Sequence, residues 1–291
     1  IVHDKDLATR QSITHAMTAS LSLVTGLVAG SADLTGNTGV KVPGFEPFAA
    51  DRPLGRQLYY GIREHAMGAV MVGIALHGVL TPVGGTFFVF ADYMKPAIRL
   101  AALSRAKVIF VFSHDSVGVG EDGPTHQPIE QLASLRSIPG LRVIRPADSR
   151  ETAEAWISAL SHEGPTALIL SRQTVPNLTD GTAVVQGAKV VRESPEPRVT
   201  LIGTGSELSI AIRAAETLDS MNIGSRVVSM PSWDVFAACP EAQRNLTLGE
   251  HPIISVEAAS TFGWERYADV AIGIDRFGAS APGPVVMESL G

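Results

Sequence analysis

Apolar positions set the outline of this chain. Between Thr9 and about Thr25 they recur at Ile13, Ala16, Met17, Leu21 and Val24, the spacing of one helix face. Leu27-Val28-Ala29 is short and wholly apolar and runs into Gly30-Ser31-Ala32-Asp33, as a strand entering a turn does. Residues 36–56 are rich in Gly, Pro and Asp and predict a long surface loop, a length that in a compact domain points to function or to a covering partner. Leu58-Tyr59-Tyr60 leads into a predicted helix over about 63–76, with Met67, Val70, Met71 and Ile74 on one face. A further helix is predicted over about 87–103, and 108–112 reads as an uninterrupted apolar strand, the kind buried on both faces of a parallel sheet. After a polar loop the pattern predicts a helix near 127–136, a strand over 141–144, a helix from about 150 and a strand over 167–170.

Periodicity lapses over 173–188, where Pro176, Asn177, Asp180 and Gly181 cluster, and then resumes. Strands are predicted over 199–202, 226–230 and 253–256, with a helix from Glu207 to about Leu218. Alternation of this kind predicts two open α/β domains with largely parallel sheets, divided as 1–180 and 181–291. No internal repeat or low-complexity tract is visible.

Composition narrows the function classes. Apolar residues make up 45% and charged residues 18% of the 291 positions, which excludes a disordered or fibrous chain. Mean hydropathy is +0.19, yet no apolar run reaches the roughly 18 residues of a membrane-spanning helix, so the apolar stretches predict core or subunit interface and no membrane partner. A net charge of −6 argues against a nucleic-acid partner. Cys239 is the single cysteine, which rules out an intrachain disulfide and a cysteine metal cage. The first six residues carry no signal-peptide pattern and do not begin with Met, so the expectation is a cytoplasmic protein seen as a fragment.

The segment from Ser113 to Pro128 concentrates the chemistry. It leaves the carboxyl end of the buried strand, where open α/β sheets place their ligands. Three glycines and two prolines fix its path, and His114, Asp115, Glu121, Asp122 and His126 project from it. A plain polar turn with solvated charges is the bland alternative, and it leaves so many titratable groups on one constrained loop without a reason.

Within that segment GVGEDGPTHQP, Gly118 to Pro128, closely resembles the signature of transketolases. So do Ala8-Thr9-Arg10, Gly30-Ser31-Ala32-Asp33-Leu34, Gly61-Ile62-Arg63-Glu64, Thr86-Phe87-Phe88-Val89-Phe90, Leu170-Ser171-Arg172-Gln173 and Gly203-Thr204-Gly205-Ser206-Glu207, in the family's order and approximate spacing. The resemblance implies a thiamine-type pyrimidine-binding domain followed by a transketolase C-terminal domain. It implies thiamine diphosphate as cofactor and reversible transfer of a two-carbon ketol unit between sugar phosphates.

Residue roles come with it. Glu64 matches the carboxyl that bonds the aminopyrimidine nitrogen, and a helix start among Tyr59, Tyr60 and Met67 is a place where burial disfavours a carboxylate. Phe87, Phe90 and Tyr93 fall at i, i+3 and i+6 of one predicted helix and match the aromatics that line the pyrimidine. Asp33, Leu34 and His126 match positions near the cofactor, His126 beside its reactive carbon. Arg10, His114 and Arg172 match phosphate-binding residues, a task that suits the planar guanidinium fork, and Asp122 matches a contact to a substrate hydroxyl. Asn37 stands where relatives usually carry a serine phosphate ligand. His3, His15, His77, His162 and His251 are expected to be solvated or structural, and His65 carries no assigned role. Thr204 and Glu207 stand at capping-box spacing.

One family feature is missing. The GDG…N motif, whose Asp and Asn hold Mg²⁺ or Ca²⁺ on the diphosphate, does not occur here. The resemblance therefore implies metal ligands outside this chain segment and a partner, either a homodimer mate or an N-terminal transketolase half. By themselves the 291 residues are expected neither to bind thiamine diphosphate tightly nor to turn over sugars. The rival readings are a related thiamine enzyme part, such as a deoxyxylulose-phosphate synthase or a 2-oxoacid dehydrogenase β subunit, and a non-catalytic subunit that only binds a partner.

Overall fold

The computed structural model describes residues 5–291, so His3 and the first four positions lie outside the described part. The first half alternates strand and helix. In chain order it runs β1 (Leu7–Ala8), α1 (Thr9–Ser20), β2 (Leu27–Ser31), β3 (Gln57–Tyr59), α2 (Glu64–His77), β4 (Thr81–Phe87), α3 (Ala91–Leu103) and β5 (Ile109–Ser113). It continues with α4 (Gln131–Arg136), β6 (Arg142–Ile144), α5 (Ser149–Ser161), β7 (Thr166–Leu170) and β8 (Thr174–Val175). The second half contains α6 (Ala183–Gln186), β9 (Lys189–Glu193), β10 (Pro197–Gly203), α7 (Leu208–Ser220), β11 (Gly224–Ser229) and α8 (Trp233–Ala238). It closes with α9 (Glu241–Leu248), β12 (Ile253–Val256), β13 (Val270–Ile272) and α10 (Gly283–Leu290).

Six parallel strands form the first sheet in the order β3-β2-β4-β5-β7-β6. Apolar side chains alternate across it. Phe110 and Phe112 of β5 meet Met67 and Met71 of α2 and Met94 and Ile98 of α3, whereas Ile109 and Val111 face Ile13 and Met17 of α1 and Trp156 of α5. Burial on both faces explains why β5 reads as an unbroken apolar run. The second sheet has the order β13-β12-β10-β11-β9, parallel except for the antiparallel β9.

The structure departs from the sequence pattern in instructive places. β4, a central strand, is TPVGGTF, and its Pro and two Gly hide it from a pattern reading. Packing demands the glycines: a Cβ on Gly84 would lie 2.1 Å from Met71 Sδ, and one on Gly85 would lie 2.7 Å from Thr38 Oγ1. Consequently the helix expected from 87 begins only at Ala91, after a 3-10 turn over Phe88–Phe90. The buried side of α2 carries Met67 and Met71, while Val70 is exposed. The 36–56 loop is anchored through Val40 and Val42, which sit in the core. Thr204 and Glu207 make no capping box, since their side chains turn to other partners described below.

The seam between the two sheets is tied by Asp148. Its Oδ1 accepts from the Arg150 and Glu151 N–H groups at 2.9 Å, capping α5, and its Oδ2 accepts from the Leu178 and Thr179 N–H groups at 2.8 and 2.7 Å.

Candidate active site

Because the six strands run parallel, the segments leaving their carboxyl ends share one edge of the sheet. Asp33, Leu34 and Asn37 follow β2, Glu64 follows β3, Phe87 ends β4, His114 follows β5, and Arg172 follows β7. Arg10 comes from α1. The helix start is held to this edge by two reciprocal bonds: the Ser171 N–H donates to Thr9 Oγ1 at 2.7 Å, and the Thr9 N–H donates to Ser171 Oγ at 3.1 Å.

Four rings gather there. The Phe87 and His114 ring centres are 3.7 Å apart, Phe87 and Phe90 are stacked at 6.1 Å, and His126 stands edge-on to Phe90 at 5.4 Å. The aromatic stripe expected on one helix is instead built from three elements: the last residue of β4, the 3-10 turn, and Tyr93 of α3. Tyr93 lies 5.9 Å from Phe90 but is 67% exposed, so Phe87 and Phe90 make the enclosed wall.

Beside the rings is a cationic end. Arg10 Nη1 donates to the Asn37 backbone oxygen at 2.8 Å, while its buried Nε has no partner among the described residues. Ser113 Oγ lies 2.8 Å from His114 Nδ1 and 3.4 Å from the same Asn37 oxygen. Burial, helped by Arg10, Arg172 and His126, pushes the pKa of His114 down to about 3, so its imidazole is neutral near pH 7. Burial and then Arg172 also lower that of Arg10. Among the described residues neither Arg10 nor Arg172 forms an ion pair with a carboxylate. Two guanidiniums close to one neutral imidazole are suited to an anion. A cleft of about 350 Å³ opens against Arg10 and Asn37, lined by α1 and the turn after β2 and by neither His114 nor Arg172.

The carboxylates are placed differently. Glu64 opens α2 and is 8% exposed, whereas Asp33 and Asp122 are exposed. Among the described residues none of the three has a side-chain hydrogen bond or ion pair, and Leu34 is half-buried next to Asp33. The loop bearing Asp122 and His126 is gripped from the second half of the chain. Gln127 Nε2 donates to the Gly120 and Ala279 oxygens at 2.9 and 3.0 Å, and Ser280 Oγ donates to the Glu121 oxygen at 2.5 Å.

Sequence reasoning passed over the residues that do this holding. Thr9, Ser171 and Gln127 stand inside the motifs that carried the resemblance, but nothing in their types marks them as clasps. Ser113 opens the segment that concentrates the chemistry, but a lone hydroxyl among its titratable groups carries no mark of the bridge it makes.

The fold and this edge define the class, an open parallel α/β unit with a ring-lined, cationic site at the carboxyl ends of its strands, joined to a second α/β unit. The transketolase pyrimidine-binding domain family matches residues 5–177, and the transketolase-like C-terminal domain family matches residues 187–291. The chain is 48% identical to the transketolase of Geobacillus stearothermophilus over 99% of its own length and 45% of that relative. It superposes on the transketolase of Leishmania mexicana with a TM-score of 0.97 at 41% identity, covering 100% of this chain and 44% of the other. Pichia stipitis transketolase in complex with sedoheptulose-7-phosphate gives a TM-score of 0.96 at 38% identity, covering 100% and 45%. The chain belongs to the transketolase family, and it spans about 45% of the length of the relatives it matches.

Proposed function

We propose that this chain supplies the pyrimidine-binding and phosphate-binding side of a transketolase active site, and that it transfers two-carbon ketol units between ketose and aldose phosphates when joined to a diphosphate-binding half. The carrying observation is the convergence of Arg10, His114 and Arg172, from three distant points of the chain, beside the Phe87, Phe90 and His126 rings. A related transketolase has been solved with a sugar phosphate bound, which supports the substrate class. The family relationship favours this over the deoxyxylulose-phosphate synthase and 2-oxoacid dehydrogenase readings.

The residues fit the cofactor. Phe87 and Phe90 offer apolar ring surface for an aminopyrimidine, with Tyr93 at the outer rim, and Glu64 is a buried carboxyl without a protein partner among the described residues. When bound, thiamine diphosphate would supply the nucleophilic carbon for this transfer. Glu64 holds and exchanges the proton at the pyrimidine nitrogen. Asp33 and Leu34 close the cofactor site from the turn after β2. His126, edge-on to Phe90, moves the proton of the reacting sugar oxygen. Asp122 accepts from a sugar hydroxyl, and Arg10, His114 and Arg172 bind the phosphate, with Asn37 at its rim.

The domain division at 180/181 rests on the two separate sheets and the Asp148 seam. Mg²⁺ or Ca²⁺ is assigned to ligands of the diphosphate-binding half. A homodimer, or a pairing with that half, is supported by the exposed Ile62, Leu76, Val79 and Leu103 around α2 and α3. No helix among the described residues is long and apolar enough to cross a membrane, and a cytoplasmic location is the reading that goes with the composition. The test is reconstitution: the chain, joined to a diphosphate-binding half, is assayed for ketol transfer from fructose-6-phosphate. Absence of transfer in a folded, cofactor-loaded assembly returns the chain to the non-catalytic reading.

A further inference from the structure

The two sheets meet at a buried ion cluster centred on Arg145, which is 0% exposed and follows β6. Arg145 Nε and Nη2 both donate to Asp115 Oδ2, at 3.0 and 2.8 Å. On its other side Nη1 donates to Glu207 Oε2 at 2.5 Å and to Thr204 Oγ1 at 3.0 Å, both from the second sheet's half. Glu257 completes the cluster. It takes two bonds from Arg136, at 2.7 and 2.8 Å, and one each from Thr204 and Trp264, at 2.5 and 2.8 Å. Gly205 is required beside this group, because a Cβ there would lie 2.8 Å from Arg145 Cζ.

Asp115 is the immediate neighbour of His114, and His114 holds a left-handed backbone with φ +64°, uncommon outside glycine, which fixes the direction in which both side chains leave the chain. On one side Ser113 ties the imidazole to Asn37; on the other, Asp115 is locked by the fork of Arg145. We propose that Arg145, acting through Asp115, is a positioning residue for His114 at the phosphate end, and that Glu207 makes the second half of the chain a working part of that end. The proposal rests on the phosphate-binding reading of His114. It also gives the second half a task at the site although its sheet contributes no ring to the site wall.

The test uses the full assembly with its diphosphate-binding half and compares fructose-6-phosphate with fructose as donor. Asp115→Asn and Glu207→Gln each change one atom, and Glu207→Gln lies outside the first sheet. Both are expected to raise the KM for the phosphorylated sugar roughly three- to thirtyfold while kcat, and the KM for fructose, stay within a factor of about two. Inhibition by inorganic phosphate is expected to weaken by the same factor. His114→Ala is the reference. If it is selective for the phosphorylated sugar but the two variants affect both sugars equally or neither, the positioning role is overturned and the phosphate reading stands. If His114→Ala is not selective, both fall together. Should one variant not fold, as judged by its melting curve, the other decides alone.

Discussion

Thr9 and Ser171, separated by 162 positions, each donate a backbone N–H to the other's hydroxyl oxygen. The adjacent residues are Arg10 and Arg172, so this clasp brings two like charges to one place and holds them there. On the phosphate-binding reading proposed above, the gathered positive charge attracts the anion, and the clasp opposes the mutual repulsion with buried hydrogen bonds.

Removing the clasp is therefore expected to cost stability. Ser171→Ala leaves the buried Thr9 N–H without its acceptor, a loss of about 1–3 kcal/mol. Urea unfolding is expected to show a lower midpoint at unchanged slope. A variant as stable as the parent would mean that the two hydroxyls only fill space.

Arg172→Ala addresses the anion directly. Loss of one charge-assisted contact costs about 1.5–3 kcal/mol, or roughly a ten- to hundredfold rise in KM for a phosphorylated sugar. The unphosphorylated sugar is expected to be almost unaffected. Steady-state kinetics on the two sugars check this, and an equal effect on both removes Arg172 from the phosphate site.

Glu64→Ala tests the proton step. Groups of this kind contribute about 10²–10⁴-fold, so turnover by the assembled enzyme is expected to fall by that range while the fold survives. Added cofactor is not expected to restore it. Hydrogen–deuterium exchange at the reactive carbon of the cofactor reads the step itself, and exchange at the parent rate would take Glu64 out of the mechanism.

Glu151 gives a pH signature unrelated to turnover. It is fully buried at the seam, accepting from Ser229 Oγ at 2.6 Å and from the Ala147 N–H at 2.8 Å. Burial, with Asp148 nearby, pushes its pKa up to about 8. The folded state thus keeps a proton that the unfolded chain releases near the ordinary carboxyl value of about 4.3. Its contribution to stability is fully present below that value and is lost as pH rises toward 8. Melting temperatures of the parent and Glu151→Gln are expected to diverge over this window, with the variant favoured at the alkaline end. Parallel curves would show that Glu151 is ionised throughout.

The amino-acid sequence by itself determined much of this protein. The unbroken apolar run of β5, the helical period of α1 and the lapse of periodicity after residue 173 were legible because sheet and helix burial impose fixed spacings on the chain. The motif set from Ala8-Thr9-Arg10 to Gly203-Thr204-Gly205-Ser206-Glu207 was legible as a family resemblance because its members are short, ordered and chemically distinctive. What only the tertiary structure decided is set by contacts between distant residues. β4 is a strand despite Pro82, Gly84 and Gly85, since Met71 and Thr38 leave no room for larger side chains there. Phe87, Phe90 and Tyr93 leave three different elements, so their shared face follows from the path of the chain at the sheet edge and not from a helical period. Thr204 and Glu207 had the spacing of a cap, yet a buried guanidinium 59 and 62 positions away offered charge-assisted bonds that outweigh a local one. Partner choice of that kind depends on which groups lose water together, and that is known only once the two sheets are in contact.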